Sequence, residues 1–275
     1  MESPWLYRYA ALLAVCTLFL VIAGAVVTSY AAGSSIPPSI EAAHLTLAAV
    51  VGLLTLGLAA WLTMADRRAW LKKLAWAAVA VVAVQALLGS KNPGVAVVHA
   101  LLAQFFFALI VSLAVLVSPR WLRGPETVED PGRPPMRALG IITIALLVLQ
   151  VSMGAAVRHN LMSAIPHIIG ALVVTIVILL LAFCVIHQYP EHASLRPAAR
   201  ILIGLTFAQV MLGMGAFIMR LMAAESSPGV MIPSVSHVAT GSLTLATTTV
   251  LVIQILRNVQ HAAVQRAGAG STVAM

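Results

Sequence analysis

Four histidines hold equivalent places in this chain. His44, His99, His167 and His237 each follow a turn rich in proline or glycine, and each stands in the opening turns of a long apolar run. Neutral imidazole is a favoured metal ligand. Two imidazoles at one depth on facing helices present lone pairs to a single iron from opposite sides. Haem is the expected metal group, because a four-helix bundle accommodates a flat macrocycle between facing histidines. Zinc takes three or four ligands in a tetrahedron, and this spacing brings two histidines together in each half. A lone histidine inside a membrane often only bonds a neighbouring helix. Four of them at four equivalent helix starts point instead to ligands, His44 paired with His99 and His167 with His237.

Glu41 breaks the equivalence. It lies one helical turn before His44 on the same face, whereas Ala96, Ala164 and Ser234 precede the other histidines. A carboxylate at the edge of lipid is costly and marks a functional site. The plainer account is an interfacial acid that complements the helix dipole. With a histidine beside it, a catalytic acid is the expectation. Lys91, Arg158 and Arg220 are the bases in the turns on the histidine side. They would attract haem propionates, or serve as ordinary loop charges. Gln85, Gln150 and Gln209 are expected to lock helices together, and Phe105–Phe107 to make lipid or core contacts.

The elements that carry these residues follow from composition. The chain is 61% hydrophobic and 9% charged, with mean hydropathy +1.02, too apolar to cover a soluble surface. Runs of about 20 apolar residues cross a bilayer as helices, and an open sheet is excluded there. Eight fit, at roughly 8–30, 40–64, 73–90, 94–117, 137–157, 164–186, 199–220 and 233–256. The first exceeds a signal-peptide core and is read as a retained helix. The expected fold is all-α and polytopic, with eight transmembrane helices in two pseudo-symmetric four-helix bundles. Net charge is +8, but Lys and Arg concentrate in the N-terminus, alternate connections and the C-terminal segment. Their bias puts both termini in the cytoplasm and the histidines toward the outer face. The charge is topological, and no nucleic-acid partner is expected. Cys16 and Cys184 lie apart inside apolar runs, without a redox motif.

The halves repeat. QALLG, QVSMG and QVMLG at 85–89, 150–154 and 209–213 place a glutamine four residues before a glycine, and LVIAG at 20–24 keeps only the glycine. An internal duplication of four-helix units, each built from helix pairs, accounts for this. Residues 1–118 form the first half, 119–136 a proline-rich solvated cytoplasmic linker, 137–257 the second half, and 258–275 a disordered tail. Ser39 is expected to cap the second helix.

In GAVVTS at 24–29, EAAH at 41–44, VHALLAQFFFA at 98–108, PHIIGA and SHVATG, the chain resembles the haem A synthase family over essentially its whole length. The resemblance implies a bacterial inner-membrane oxidoreductase of cytochrome oxidase assembly. Such an enzyme hydroxylates the C8 methyl of haem O, with water as the oxygen donor, to yield haem A. It implies haem O as substrate between His44 and His99, Glu41 as catalytic acid, and haem B as cofactor on His167 and His237. Implied partners are the lipid bilayer, haem O and haem O synthase, an electron acceptor of unspecified kind, and further copies of the chain. Many members carry a cysteine pair in the first outer loop, which AAGSSIPPS lacks. The family often reads arginine after its histidines, where Leu45, Ala100, Ile168 and Val238 stand here.

The alternative from another class is a non-enzymatic di-haem electron carrier with bis-histidine ligation. A transporter built from repeats is a third. Glu41 separates the first two, because a carrier has no use for a catalytic acid.

Overall fold

The computed structural model describes residues 4–33, 35–88, 92–130, 132–223 and 227–261. Among them, eight helices are long and apolar enough to cross a membrane. They are α1 (Pro4–Gly33), α2 (Pro38–Ala65), α3 (Ala69–Leu87), α4 (Pro93–Leu116), α6 (Met136–Arg158), α7 (Ala164–Gln188), α8 (Leu195–Met222) and α9 (Pro228–Asn258), with a short α5 (Pro119–Leu122) between. The chain is an all-α polytopic membrane protein. Gly89 and Lys91, and all of the expected tail beyond residue 261, lie outside the described residues.

Helix starts follow proline chemistry. Proline at the first helical position gives up an N–H that would be unpaired anyway, and α2, α4 and α9 all begin this way. Asn92 caps α4, its side-chain oxygen accepting from the Gly94 and Val95 amides at 2.9 and 3.4 Å. Ser39 does not cap α2. Pro38 already opens that helix behind Pro37, which leaves Ser39 inside its first turn. The last span begins five residues earlier than expected, because Pro233 sits inside α9 rather than before it. His237 therefore lies about 14 Å along its helix, against about 9 Å for His44.

Packing is up and down. In the first half α1 packs on α2, α2 on α3, α3 on α4, and α4 back on α1; in the second, α6, α7, α8 and α9 make the same circuit. The halves meet through α9, which also touches α1 and α4, and through α4 on α6. Half of the most apolar window of α9 is buried, more than in any other span. Two buried clusters form the core. One lies within the first half and includes Phe106; the other lies mostly in the second and takes in Phe107. Adjacent phenylalanines of α4 thus enter different cores, both 2% exposed. The other helices turn large apolar side chains outward, as lipid requires.

At the end away from the histidines, the connection between halves is largely exposed, and it is pinned at a few points. Strand β1 (Val128–Asp130) pairs in parallel with β2 (Val259–His261), the extension of α9. Buried Asp130 accepts from the Gly132 and Met136 amides at 2.9 and 3.2 Å and so satisfies the start of α6. The Glu126 amide donates to Asn258 Oδ1 at 2.9 Å. Buried His192 accepts at Nδ1 from the Ser194 and Leu195 amides, capping α8. The guanidinium of Arg257 lies 3.8 Å from the Trp121 ring centroid and donates to the Trp121 carbonyl. Pro135 before α6 has no side-chain donor or acceptor and Ser194 before α8 makes no side-chain cap bond, so Asp130 and His192 meet those amides instead.

Candidate functional site

The four histidines occupy the same end of the molecule, on α2, α4, α7 and α9, and all are partly buried. Their neighbours explain the glycine repeat. A Cβ on Gly24 would stand 3.2 Å from His44 Cε1; on Gly154, 2.9 Å from His167 Cε1; on Gly213, 2.8 Å from His237 Cε1. Each glycine is the flat spot against which the next helix's imidazole lies, and a side chain there would displace the ring.

The glutamine repeat has a matching cause. Gln150 Nε2 donates to the His167 carbonyl at 2.9 Å and lies 3.0 Å from its Nδ1. His237 Nδ1 is 3.1 Å from the Gln209 carbonyl, and Gln209 Nε2 is 3.3 Å from His237 Nε2. With its amide turned to satisfy both ends, Gln85 donates to the His99 carbonyl at 2.9 Å and to Nδ1 at 3.2 Å, while its oxygen accepts from the Ala103 amide at 3.0 Å. These glutamines do lock helices together, and they do so through the histidines. His44 has no such partner, and its buried Nδ1 is unpaired among the described residues.

His167 and His237 meet with ring centroids 6.4 Å apart and planes at 89°. Two metal–imidazole bonds of about 2 Å each, with the ring radii added, span roughly 6 Å. The separation therefore suits one iron held between these two rings, and an amide oxygen is left unpaired on each of Gln150 and Gln209 beside them. An imidazole bound to metal through one nitrogen carries a proton on the other and seeks an acceptor for it. At His237 the Gln209 carbonyl is such an acceptor, whereas the Gln150 amide N–H beside His167 Nδ1 is a donor. The residues present fit a bis-histidine haem. Among the described residues no such ring contact joins His44 and His99. Among the described residues no three His, Cys, Asp or Glu side chains gather as a metal group.

Glu41 is exposed in the first turn of α2, one turn before His44. Among the described residues no hydrogen bond or ion pair engages its carboxylate, so it is available to substrate or solvent. Arg158 and Arg220 come together. With Thr28, Ser29 and Ser234 they line a cavity of about 10 Å³, room for one water at most. The Arg158 guanidinium donates to the Ala25 carbonyl and to Ser29 Oγ, both at 2.7 Å, so it ties the end of α6 to α1 across the two halves. It is also close enough to His237 for their charges to interact. His159, not expected at the site, follows Arg158. Burial, then Arg158 and His99, hold its pKa below the ordinary histidine value. Only its position beside Arg158 could have signalled this.

Residues 39–166 match the sequence model of COX15-CtaA, the cytochrome oxidase assembly protein. The expected family resemblance is shown over that stretch. The matched span takes in Glu41, His44, His99 and Arg158, and stops one residue before His167. It is narrower than the whole-chain resemblance read from the motifs. The match points to cytochrome oxidase assembly. No curated protein matches the chain.

Proposed function

We propose that this protein is a haem A synthase-like membrane oxidoreductase. It oxidises the C8 methyl of haem O to a formyl group by successive hydroxylations, with oxygen drawn from water and electrons passed to a separate acceptor. The observation that carries the proposal is the Glu41–His44 turn, inside the stretch that matches an oxidase assembly family and at the same end as three further histidines. His44 and His99 hold the substrate haem. Glu41 takes protons from the attacking water, or stabilises positive charge developing at the methyl carbon. Its exposure leaves it open to either role.

His167 and His237 hold haem B, which supplies one-electron transfer between substrate and acceptor. The chain's own part there is to fix two imidazoles 6.4 Å apart on glycine-floored seats. Arg158 and Arg220 receive propionates, with Lys91 in reserve. For Arg158 this requires exchanging its bonds to α1 for a carboxylate. The histidine end faces the periplasm of a bacterial inner membrane, with both termini cytoplasmic, as the charge bias of the connections supports. The chain falls into halves at 1–118 and 137–257.

The test is purification, a reduced-minus-oxidised spectrum, and extraction of the bound haems, followed by conversion of haem O by wild-type protein and Glu41→Ala. Glu41→Ala is expected to keep the spectrum and lose turnover. Conversion by that variant at the wild-type rate removes Glu41 from the mechanism. Absence of haem removes the proposal.

A further inference from the structure

Away from the histidines, the segment before α6 and the turn between α7 and α8 line an open cleft of about 340 Å³. That volume falls within the range of small-molecule sites. The lining runs against the charge of the chain. The protein carries a net +8, yet Glu126 and Glu129 of the segment and Glu191 of the turn line the cleft, all exposed. Glu126 Oε2 is fixed there by the Ala193 amide at 3.2 Å. His192, also in the lining, adds no positive charge. Its Nδ1 accepts from the Ser194 and Leu195 amides, and its Nε2 donates to the Glu126 carbonyl at 3.0 Å. Of the bases nearby, Arg120 donates to the Ala193 carbonyl at 3.0 Å, and Arg196 stands 3.8 Å from Glu191, whose side chain is almost wholly exposed.

Surface acids alone need no ligand, but two orphaned atoms lie beside them. Tyr189 lines the cleft at 5% exposure, and its Oη is buried with no hydrogen-bond partner among the described residues. The neighbouring Gln188 Oε1 is likewise buried and unpaired. Buried polar atoms without partners are rare, because each has given up its water for nothing. Burial, then the charge of Asp130, push the Tyr189 hydroxyl up to about 12, so it stays protonated at neutral pH. Water would satisfy both atoms and leave the carboxylates unbalanced. The acids are too dispersed for one metal ion, since among the described residues no three His, Cys, Asp or Glu side chains gather as a metal group. A cation that answers all three must be extended, with N–H donors at more than one point. We propose that this cleft binds a small organic polycation of the diamine or polyamine class. One ammonium head donates to Tyr189 Oη and Gln188 Oε1, and another pairs with the carboxylates of Glu126, Glu129 and Glu191. An ammonium has three donors and no acceptor, which matches a lining rich in acceptors. Occupied, the cleft ties the connection between halves to the α7–α8 turn. The proposal is independent of whether the histidines hold haem.

The experiment titrates hexamethylenediamine into the full chain in detergent, by calorimetry at neutral pH. Ionic strength is kept low, because salt screens exposed charges. One diamine per chain and a raised thermal midpoint are expected. Hexamethonium keeps both charges and their spacing but has no N–H, and should bind about tenfold more weakly, the scale of a hydrogen bond to a charged group. Tyr189→Phe removes the hydroxyl with little change in bulk and should weaken the diamine by a similar factor. Glu129→Gln combined with Glu191→Gln should abolish the midpoint shift. No binding of the diamine, equal binding of hexamethonium, or a Tyr189→Phe affinity equal to that of the wild type would overturn the proposal. So would a diarginine peptide that binds where the diamine does not, which would assign the cleft to a protein partner. If Tyr189→Phe does not fold, the double variant at the two exposed glutamates decides: a diamine affinity unchanged in it overturns the proposal.

Discussion

His167 and His237 stand with ring centroids 6.4 Å apart and planes at 89°, close to the spacing of two imidazoles sharing one iron. Because the rings come from α7 and α9, removal of either leaves a site with one ligand. His167→Ala and His237→Ala are each expected to lose the bis-histidine low-spin signal of the haem proposed for this pair in a reduced-minus-oxidised spectrum. Neither should alter the signal contributed by His44 and His99. Equal loss of all haem in both variants would mean that the pairs are not independent.

The glycine seats predict a graded series. Alanine at Gly213, Gly154 or Gly24 places a methyl 2.8, 2.9 or 3.2 Å from the facing Cε1. Haem content, measured as pyridine haemochrome per protein, should fall most for Gly213→Ala and Gly154→Ala. Gly24→Ala should fall least, because its ring needs to give only a few tenths of an ångström.

Arg158 donates to Ala25 and Ser29 across the boundary between halves. Hydrogen bonds from a charged donor are worth more than neutral ones, so Arg158→Ala should cost about 2 kcal/mol, seen as a lower thermal midpoint in detergent. Arg158→Lys should recover only part of it, because both bonds come from Nη2 and a strongly hydrated ammonium on a flexible stem would have to reach the same point. An unchanged midpoint in Arg158→Ala would show that the halves are held without this contact.

Acid should weaken the turn between α2 and α3. The Arg68 guanidinium bonds both oxygens of Asp66 and reaches the Leu116 carbonyl at 3.0 Å. These Arg68 bonds, chiefly, hold the Asp66 carboxyl below its usual range. A depressed folded value means that the contribution is complete above about pH 3.9 and disappears as pH falls through the folded value. The thermal midpoint should therefore drop on that acid limb, and Asp66→Asn should flatten the drop while lowering the neutral midpoint. An acid limb unchanged in Asp66→Asn would assign the sensitivity to other carboxylates.

Most of the architecture was legible because lipid imposes one rule on every span. Backbone groups must pair internally, so each apolar run becomes a helix, and eight runs became eight helices. The spacing of glutamine and glycine was equally visible, but its meaning depended on which helix faces which. Gln150 reads as a generic polar lock until His167 is placed against it. Three features stayed hidden. The start of α9 at Pro228 was missed because Pro233 looks like a breaker, although transmembrane helices tolerate proline inside them. The pairing of Val128–Asp130 with Val259–His261 joins short segments far apart in sequence, and three residues carry no period to read. The capping roles of Asp130 and His192 depend on the same distant contacts.

The parallel pairing of β1 with β2 also sets an order of events during biosynthesis. The ribosome delivers Val128–Asp130 well ahead of its partner: the four helices α6, α7, α8 and α9 come between, and β2 emerges only behind α9. Until then the first four spans sit in the bilayer with their tether to the rest loose. The latch closes last, so a nascent chain stalled before Val259 has its ring seats in preparation and lacks this one fastening between its halves.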